Sequence, residues 1–275
     1  MILGVDVSSN NGGGTGEVNF PAIKAAGRTF VMVRAGYGFR RDGQFEGYVS
    51  EAFGRQVLAA QAAGLEVGAY WYTAAATVEE ARAEARACVG AAASYQLTYP
   101  IAFDQEYQPT LADLSRQERT DLCKAFLEEV RAAGYYPMLY ASKDWFEEFL
   151  DDGQLAGYDH WVADYAPALT YAGPGPVGLW QNSGTGSIEG VEGPIDLDVS
   201  YRNYPEVIRR AGLNHLAGEG PSAPPSTGGK PEGGGRPESS GKPEGGGQPS
   251  AAPAPRGLCA LLGRLWRGLL RLFGR

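Results

Sequence analysis

Short β-rich runs alternate with helical stretches through residues 1–213, and this alternation is the feature that most restricts the fold. Apolar residues recur at helical spacing between the early runs, and Gly64 and Gly134 follow two of these stretches, where a left-handed residue ends a helix. Strand, helix and strand joined by short links predict parallel pairing with right-handed crossovers. Eight such strands fit a closed α/β barrel of the TIM type better than an open sheet. The expected strands are 2–7, 29–35, 66–72, 100–106, 137–141, 160–165, 177–181 and 195–198, and the expected early helices are 21–26, 48–63, 78–94 and 116–133.

Four carboxylates stand at or near the ends of these strands, where the active site of such a barrel lies. They are Asp6, Asp104, Glu106 and Asp196. Asp104 and Glu106 are two residues apart in a strand, so their side chains share a face, and we expect Asp104 to raise the pKa of Glu106. A carboxyl that keeps its proton near neutral pH can act as general acid on a glycosidic bond. The alternative is a solvated strand end whose acids cap the next helix.

A set of aromatic residues falls near the same strand ends. Taken singly, each of these rings is better explained by core packing. Taken together, rings beside carboxylates favour a sugar, whose C–H faces stack on rings while its hydroxyls bind acids. The predicted substrate-binding residues are Tyr37, Tyr70, Tyr72, Tyr140, Tyr165 and Trp180.

The charge of −8 is unevenly distributed along the chain. Residues 1–215 hold 16 basic and 28 acidic side chains, which argues against nucleic acid as a partner because phosphate binding needs clustered Lys and Arg. Cys88, Cys123 and Cys259 have neither metal-ligand spacing nor an even number for disulfides, and we expect no metal and no cofactor. Cys88 and Cys123 lie in helical patterns and are best explained as buried small hydrophobic residues.

The last sixty or so residues differ in kind from the rest. Residues 214–255 are rich in Gly, Pro and Ser, and the run at 229–235 recurs at 241–247, which predicts a disordered, flexible linker. Residues 256–275 form a cationic amphipathic pattern, with arginines on one face and apolar residues opposite. We expect this helix to bind an anionic membrane or envelope surface; docking on the barrel and self-association are the alternatives. The residues expected at that surface are Arg264, Trp266, Arg267, Arg271 and Phe273.

Eight motifs, met in order along residues 2–213, resemble the glycoside hydrolase family 25 lysozymes, the Chalaropsis-type muramidases of bacterial wall hydrolases and phage endolysins. The motifs occupy 4–12, 30–38, 62–72, 103–106, 133–140, 161–165, 179–181 and 190–198. The resemblance implies a flattened barrel that cleaves the β-1,4 bond between N-acetylmuramic acid and N-acetylglucosamine in bacterial peptidoglycan. It also implies that Glu106 is the proton donor and that Asp104, Asp6 and Asp196 are its catalytic partners.

The chain departs from the family pattern at three places, none of which removes a carboxylate. Ser9 and Asn10 stand where many relatives carry His, Asn182 replaces a frequent aromatic or hydroxyl residue, and Asp198 stands where Asn is common. Two alternatives remain, a non-catalytic wall-binding module of the same fold and a glycosidase for another amino-sugar polymer such as chitin. No signal peptide is visible, so we expect a protein made in the cytoplasm that acts at the wall after release or holin-type export.

Overall fold

The computed structural model describes residues 1–216, so most of the predicted linker and the whole of 256–275 lie outside the described residues. Its strands are β1 (Ile2–Val7), β2 (Phe30–Arg41), β3 (Gln44–Val49), β4 (Glu66–Tyr72), β5 (Ile101–Asp104), β6 (Pro137–Ser142), β7 (Asp159–Ala163), β8 (Val177–Gly186) and β9 (Ile195–Ser200). Its helices are α1 (Asn11–Gly14), α2 (Phe20–Ala25), α3 (Glu51–Ala62), α4 (Val78–Ala92), α5 (Arg116–Ala132), α6 (Asp152–Leu155) and α7 (Tyr204–Ala211). Short 3-10 and π-helical turns span Pro109–Leu111 and Trp145–Phe149. None of the helices in this part of the chain is both long and apolar enough to cross a membrane.

The two longest helices, α4 and α5, begin at side chains that accept hydrogen bonds from the free N–H groups of the first helical turn. Thr77 accepts from the N–H of Glu80 at the start of α4. Ser115 and Glu118 form a reciprocal capping box at the start of α5. Gly64 and Gly134 adopt positive φ angles of 75° and 82° just after α3 and α5, as the sequence predicted.

Eight strands close into a barrel, because β1 pairs with β2 on one side and with β9 on the other. The pairs from β1 through β2, β4, β5, β6 and β7 to β8 are parallel, as expected from the strand–helix–strand pattern. The expectation of parallel pairing is wrong for β9, which runs antiparallel to both β8 and β1. Because β8 reaches Gly186, only residues 187–194 link it to β9, too few for a parallel crossover.

A β-hairpin takes the place of the expected start of the helix at 48–63. Strand β2 continues to Arg41, and β3 returns antiparallel to it, with Tyr48 opposite Tyr37. Asp42 and Gly43 form the turn, both with positive φ (51° and 79°), which is the geometry that an Asp-Gly pair favours between strands.

Two apolar layers lie on the two faces of the barrel wall. The inner layer contains fewer residues than the outer one, and many of them are aromatic; it includes Met32, Tyr70, Met138 and Trp161. The outer layer is larger and joins strands to helices. Cys88 and Cys123 are buried free thiols, as predicted.

The folded part extends past the predicted boundary at residue 213. Asn214 is buried, and its amide donates to the carbonyls of Leu97 and Tyr99, each at 2.9 Å. Its amide oxygen accepts from the N–H of Tyr136 at 2.8 Å. These partners precede β5 and β6, so the chain leaves the barrel at the amino ends of the parallel strands.

Candidate active site

The four predicted acids meet at one end of the barrel, at the carboxyl ends of the parallel strands. Asp6 on β1 lies directly opposite Asp196 on β9. Asp196 stands near the start of its strand, and it reaches this end because β9 runs in the opposite direction. Asp104 is the last residue of β5, and its carboxyl is hydrogen-bonded to that of Glu106.

Glu106 lies two residues beyond β5, whereas the sequence placed it within a strand through residue 106. The strand alternation nevertheless continues, because the N–H of Gln105 donates to the carbonyl of Tyr140 at 3.0 Å. The Gln105 side chain points the other way, where it accepts from the Cys123 thiol at 2.6 Å. Asp104 and Glu106 therefore share the inner side, as the i, i+2 spacing predicted.

The acid pair holds protons more tightly than free carboxyls do. Burial raises the pKa of Asp104 well above its usual value, and the Glu106 carboxylate raises it further. Burial raises the pKa of Glu106 to about 7, with Asp196 as the next cause. The expectation that Asp104 raises the pKa of Glu106 is wrong, because Asp104 donates a hydrogen bond to Glu106 and so lowers it.

Asp6 and Asp196 are perturbed in the same direction. Burial raises the pKa of Asp6 well above its usual value, and the charges of Asp196 and Asp198 add to the effect. Burial raises the pKa of Asp196 to about 6. The acids thus form a cluster in which several groups stay protonated near neutral pH.

Gln181 on β8 binds this cluster together, although the sequence analysis did not single it out. Its amide donates to Oδ2 of Asp6 at 2.7 Å. Its amide oxygen accepts from the hydroxyls of Tyr140 and Tyr165, at 3.0 and 2.8 Å. The alternation of side chains along the strand did carry a signal. Gln181 lies two residues after the inward-facing Leu179, so it occupies a core-facing position, where a polar residue is rare.

Arg34 is the second residue that the sequence analysis missed, and it brings positive charge to the acids. The guanidinium of Arg34 lowers the pKa of both Asp104 and Glu106. One of its terminal nitrogens donates to Ser9 Oγ at 3.1 Å, and the group lies 5.6 Å from the centre of the Tyr37 ring. The strand alternation again carried the signal, since Arg34 lies two residues after the inward-facing Met32 and therefore faces the inside of the barrel.

A β-bulge brings Tyr37 to the same face as Arg34. Arg34 pairs with Tyr70, whereas Tyr37 pairs with Tyr72, which leaves one extra residue in β2. This extra residue reverses the alternation, so Tyr37 and Arg34 both face inward. Tyr37 then packs against Tyr48 of the hairpin, with ring centres 5.2 Å apart.

The other predicted aromatic residues are not all placed alike. Tyr70 and Tyr140 are buried at the floor of the cluster, and nearby acids raise the pKa of both hydroxyls after burial itself. Tyr165 stands at the rim and is 57% exposed, and Tyr72 is partly exposed beside Asp104. Trp180 does not join the cluster: it alternates with Gln181, faces the outer side of β8, and donates to the Asp164 carbonyl at 2.8 Å.

The arrangement is suited to acid catalysis on a neutral polar substrate. Glu106 is partly exposed and has a pKa of about 7, so it can deliver a proton near neutral pH. Asp196, whose pKa is about 6, is a carboxylate near neutral pH, and a carboxylate at this end of the barrel stabilises positive charge that develops on a sugar ring. Within residues 1–216, no group of three or more His, Cys, Asp or Glu is arranged to hold a metal ion.

Comparison with known proteins agrees with this picture. The family model described as glycosyl hydrolases family 25 matches residues 5–191. A bacterial lysozyme from Streptomyces coelicolor is 23% identical, with a TM-score of 0.63 over 78% of this chain and 98% of the lysozyme chain. A muramidase from Trichobolus zukalii is 21% identical, with a TM-score of 0.62 over 77% of this chain and 99% of its own.

A third solved structure, the modular autolysin LytC from Streptococcus pneumoniae with a synthetic peptidoglycan ligand, is 22% identical. Its TM-score is 0.62, over 73% of this chain and 46% of LytC. The curated proteins include no significant match. The family model covers well over half of the sequence, and the fold is that of the solved members, so the chain belongs to glycosyl hydrolases family 25.

Proposed function

We propose that the protein is a peptidoglycan hydrolase, an N-acetylmuramidase that cleaves the β-1,4 bond between N-acetylmuramic acid and N-acetylglucosamine. The observation that carries the proposal is Glu106, a partly exposed carboxyl with a pKa raised to about 7 and three further carboxyls around it. Family membership and the peptidoglycan ligand in LytC support the substrate.

The proposed reaction uses these groups in order. Glu106 gives its proton to the bridging oxygen, which leaves as the hydroxyl of the departing sugar. Positive charge develops on the remaining sugar ring, and the carboxylates of the cluster stabilise it. The Glu106 carboxylate then accepts a proton from the attacking water, and this transfer restores the acid.

Exchange of Glu106 for Gln tests the proposal. Gln keeps the shape but has no proton to deliver, so hydrolysis of purified peptidoglycan should fall by on the order of 10²–10⁴. Glu118→Gln is the matched control, since Glu118 is an exposed residue whose carboxyl accepts from Ser115 in the capping box of α5, and hydrolysis should be unchanged. A Glu106→Gln protein that retains more than about a tenth of the activity would remove the general acid from the proposal.

The same assay, run beside one on N-acetylglucosamine oligomers and a measurement of binding to peptidoglycan fragments, separates the two alternatives. A non-catalytic wall-binding module of this fold would bind peptidoglycan fragments and release no new reducing ends. A chitin hydrolase would cleave N-acetylglucosamine oligomers faster than peptidoglycan. The intact set of four acids favours the muramidase, because loss of Glu106 alone would suffice to make a binding module.

We also propose that residues 256–275 carry the enzyme to an anionic membrane or envelope surface. Five arginines and no acid, with leucines, Trp266 and Phe273 between them, support this. The place of action is the bacterial wall, reached after release or holin-type export.

Deletion of residues 256–275 should weaken binding to anionic vesicles and leave hydrolysis of soluble fragments unchanged. Binding by the full chain should fall as salt rises. Leu265→Ser with Trp266→Ser should weaken it as much as Arg264→Gln with Arg267→Gln, since burial and charge act together. Equal vesicle binding by the full and shortened chains would instead favour docking on the barrel or self-association.

A further inference from the structure

Asp198 is a buried acid one layer below the proposed catalytic groups. It is 0% exposed, so it cannot touch a substrate. On β9 it pairs with Gly4 of β1 and with Gln181 of β8. It points to the same inner side as Asp196, two residues earlier.

Only one oxygen of Asp198 has a donor among residues 1–216 of the chain. Oδ1 accepts from the indole N–H of Trp161 at 2.8 Å. Oδ2 is buried and receives no hydrogen bond from any N–H or hydroxyl of this part of the chain. An unpaired carboxylate oxygen in such a place destabilises the fold, because its lost hydration is not replaced by a hydrogen bond.

Asp6 and Asp198 are diagonal neighbours on the inner face of the β1–β9 pair, and their carboxyls are hydrogen-bonded to each other. Because Oδ1 already accepts from Trp161, Oδ2 is the oxygen of Asp198 that remains for this bond. Asp6 already uses Oδ2 to accept from Gln181 at 2.7 Å. Two carboxyls can form a hydrogen bond only when one of them carries a proton. A proton between Asp6 and Asp198 therefore satisfies the buried oxygen.

We propose that Asp198 is a positioning residue that shares one proton with Asp6 and so fixes the orientation and the charge of the Asp6 carboxyl. The shared proton joins the Trp161 indole, Asp198, Asp6 and Gln181 in one continuous chain of hydrogen bonds. This inference rests on the proposed function only for its catalytic consequence; the shared proton is argued from the contacts of Asp6 and Asp198 alone.

The charges around the pair are mostly negative, which favours retention of the proton. Burial raises the pKa of Asp198 to about 8 and that of Asp6 well above its usual value, with Asp196 a further cause for both. The charged and titratable groups that face the pair are Asp196 on β9, Asp104 at the end of β5, Tyr70 on β4, Tyr140 on β6, Tyr165 after β7 and Arg28 before β2. Arg28 is the one cation among these, and it opposes retention of the proton.

Asp198→Asn tests the proposal with almost no change of shape. Trp161 still needs an acceptor, so the amide oxygen takes the place of Oδ1 and the amide nitrogen faces Asp6. An N–H donor in that place favours the ionised form of Asp6. The proton affinity of Asp6 should therefore fall at least tenfold.

The direct measurement is the carboxyl ¹³C NMR titration of the full chain labelled at aspartate, with the Asp6 signal assigned by Asp6→Asn. In Asp198→Asn the Asp6 signal should titrate at least one pH unit lower than in the natural chain. The limb of the pH–rate profile that depends on the ionisation of Asp6 should move to lower pH by the same amount. Asp159→Asn is the control: Asp159 is buried at the opposite end of the barrel among Tyr136, Tyr204 and Arg202, and its loss should lower stability without moving the Asp6 titration.

The titration needs no turnover, so it stands apart from the test of Glu106. An Asp6 signal that titrates at the same pH in the natural chain and in Asp198→Asn would overturn the shared proton. If the Asp198→Asn protein does not fold, Trp161→Phe serves in its place. It removes the donor to Oδ1, so the pair should titrate at higher pH, and an unchanged titration would again contradict the proposal.

Discussion

Gln181 offers the sharpest test of how the cluster is held together. Gln181→Met keeps the length of the side chain but removes the donor to Asp6 and the acceptor for Tyr140 and Tyr165. The bonds to Asp6 and Tyr140 are buried, whereas the Tyr165 hydroxyl stands on an exposed side chain and can bind water. The loss of stability should therefore come mainly from the bonds to Asp6 and Tyr140.

The expected loss of stability is about 2–4 kcal/mol, since a bond to a charged group and a bond to a neutral group both disappear in a buried place. For a folded domain of this size the melting temperature should fall by roughly 5–15 °C. Gln181 lowers the pKa of Asp6, so its loss should also raise that pKa. Misplacement of Asp6 should cut turnover by roughly 10–100-fold.

Urea unfolding and hydrolysis of purified peptidoglycan measure the two effects. Gln117→Met is the matched control, because Gln117 also bonds through its amide, to Asp121 at 2.9 Å, but on the exposed face of α5. Its substitution should change stability by less than about 0.5 kcal/mol. If Gln181→Met is as stable and as active as the control, the bonds to Asp6 and Tyr140 do not hold the cluster, and our reasoning about it fails.

Three further predictions follow from the same contacts. In the pH–rate profile, Asp104→Asn should leave the alkaline limb in place, because an amide can still donate to Glu106. Asp196→Asn should move that limb to lower pH, because it removes a charge that raises the pKa of Glu106. A shift of the limb in Asp104→Asn and none in Asp196→Asn would contradict the assigned causes. The free energy of unfolding should decline from about pH 4 to pH 8. In the folded protein Asp196, Glu106 and Asp198 have pKa values of about 6, 7 and 8, so over this range they hold protons that the unfolded chain has released. A free energy of unfolding that rises over this range in urea titrations would contradict the prediction. Gly178→Ala should cost about 1–3 kcal/mol because its methyl group would collide with the Tyr204 hydroxyl, while Gly90→Ala in an open part of α4 should gain about 0.5–1 kcal/mol; equal melting temperatures would contradict the packing.

The barrel and the four acids could be predicted because each follows from local pattern. Apolar runs and capped helices reveal the strand–helix alternation, and the two-residue spacing of Asp104 and Glu106 places both on the inner side. The direction of β9 could not be predicted in the same way, because the polar residues at the end of β8 gave no sign that this strand continues to Gly186. The hairpin did carry a signal, the Asp42-Gly43 pair, which the helical pattern of the following residues obscured.

The contacts that tune the acids were beyond the sequence. Strand parity places Arg34, Gln181 and Asp198 on the inner side, but it does not say which carboxyl each one meets. That depends on the closure of β1 against β9 and on the bulge in β2. The pKa of Glu106 shows the same limit, since its second cause is Asp196, about ninety residues away along the chain.

The anchoring of Asn214 beneath the barrel has a practical consequence for handling the enzyme. Its three hydrogen bonds fix the chain's exit at the amino ends of β5 and β6, opposite the acid cluster. Residue 216 therefore lies on the side of the barrel away from the acid cluster. In a chain shortened to residue 216, coupling through that residue should present the open end of the barrel outward from a bead or a sensor chip, whereas coupling through Ser9 or Tyr37 would bring the support against it.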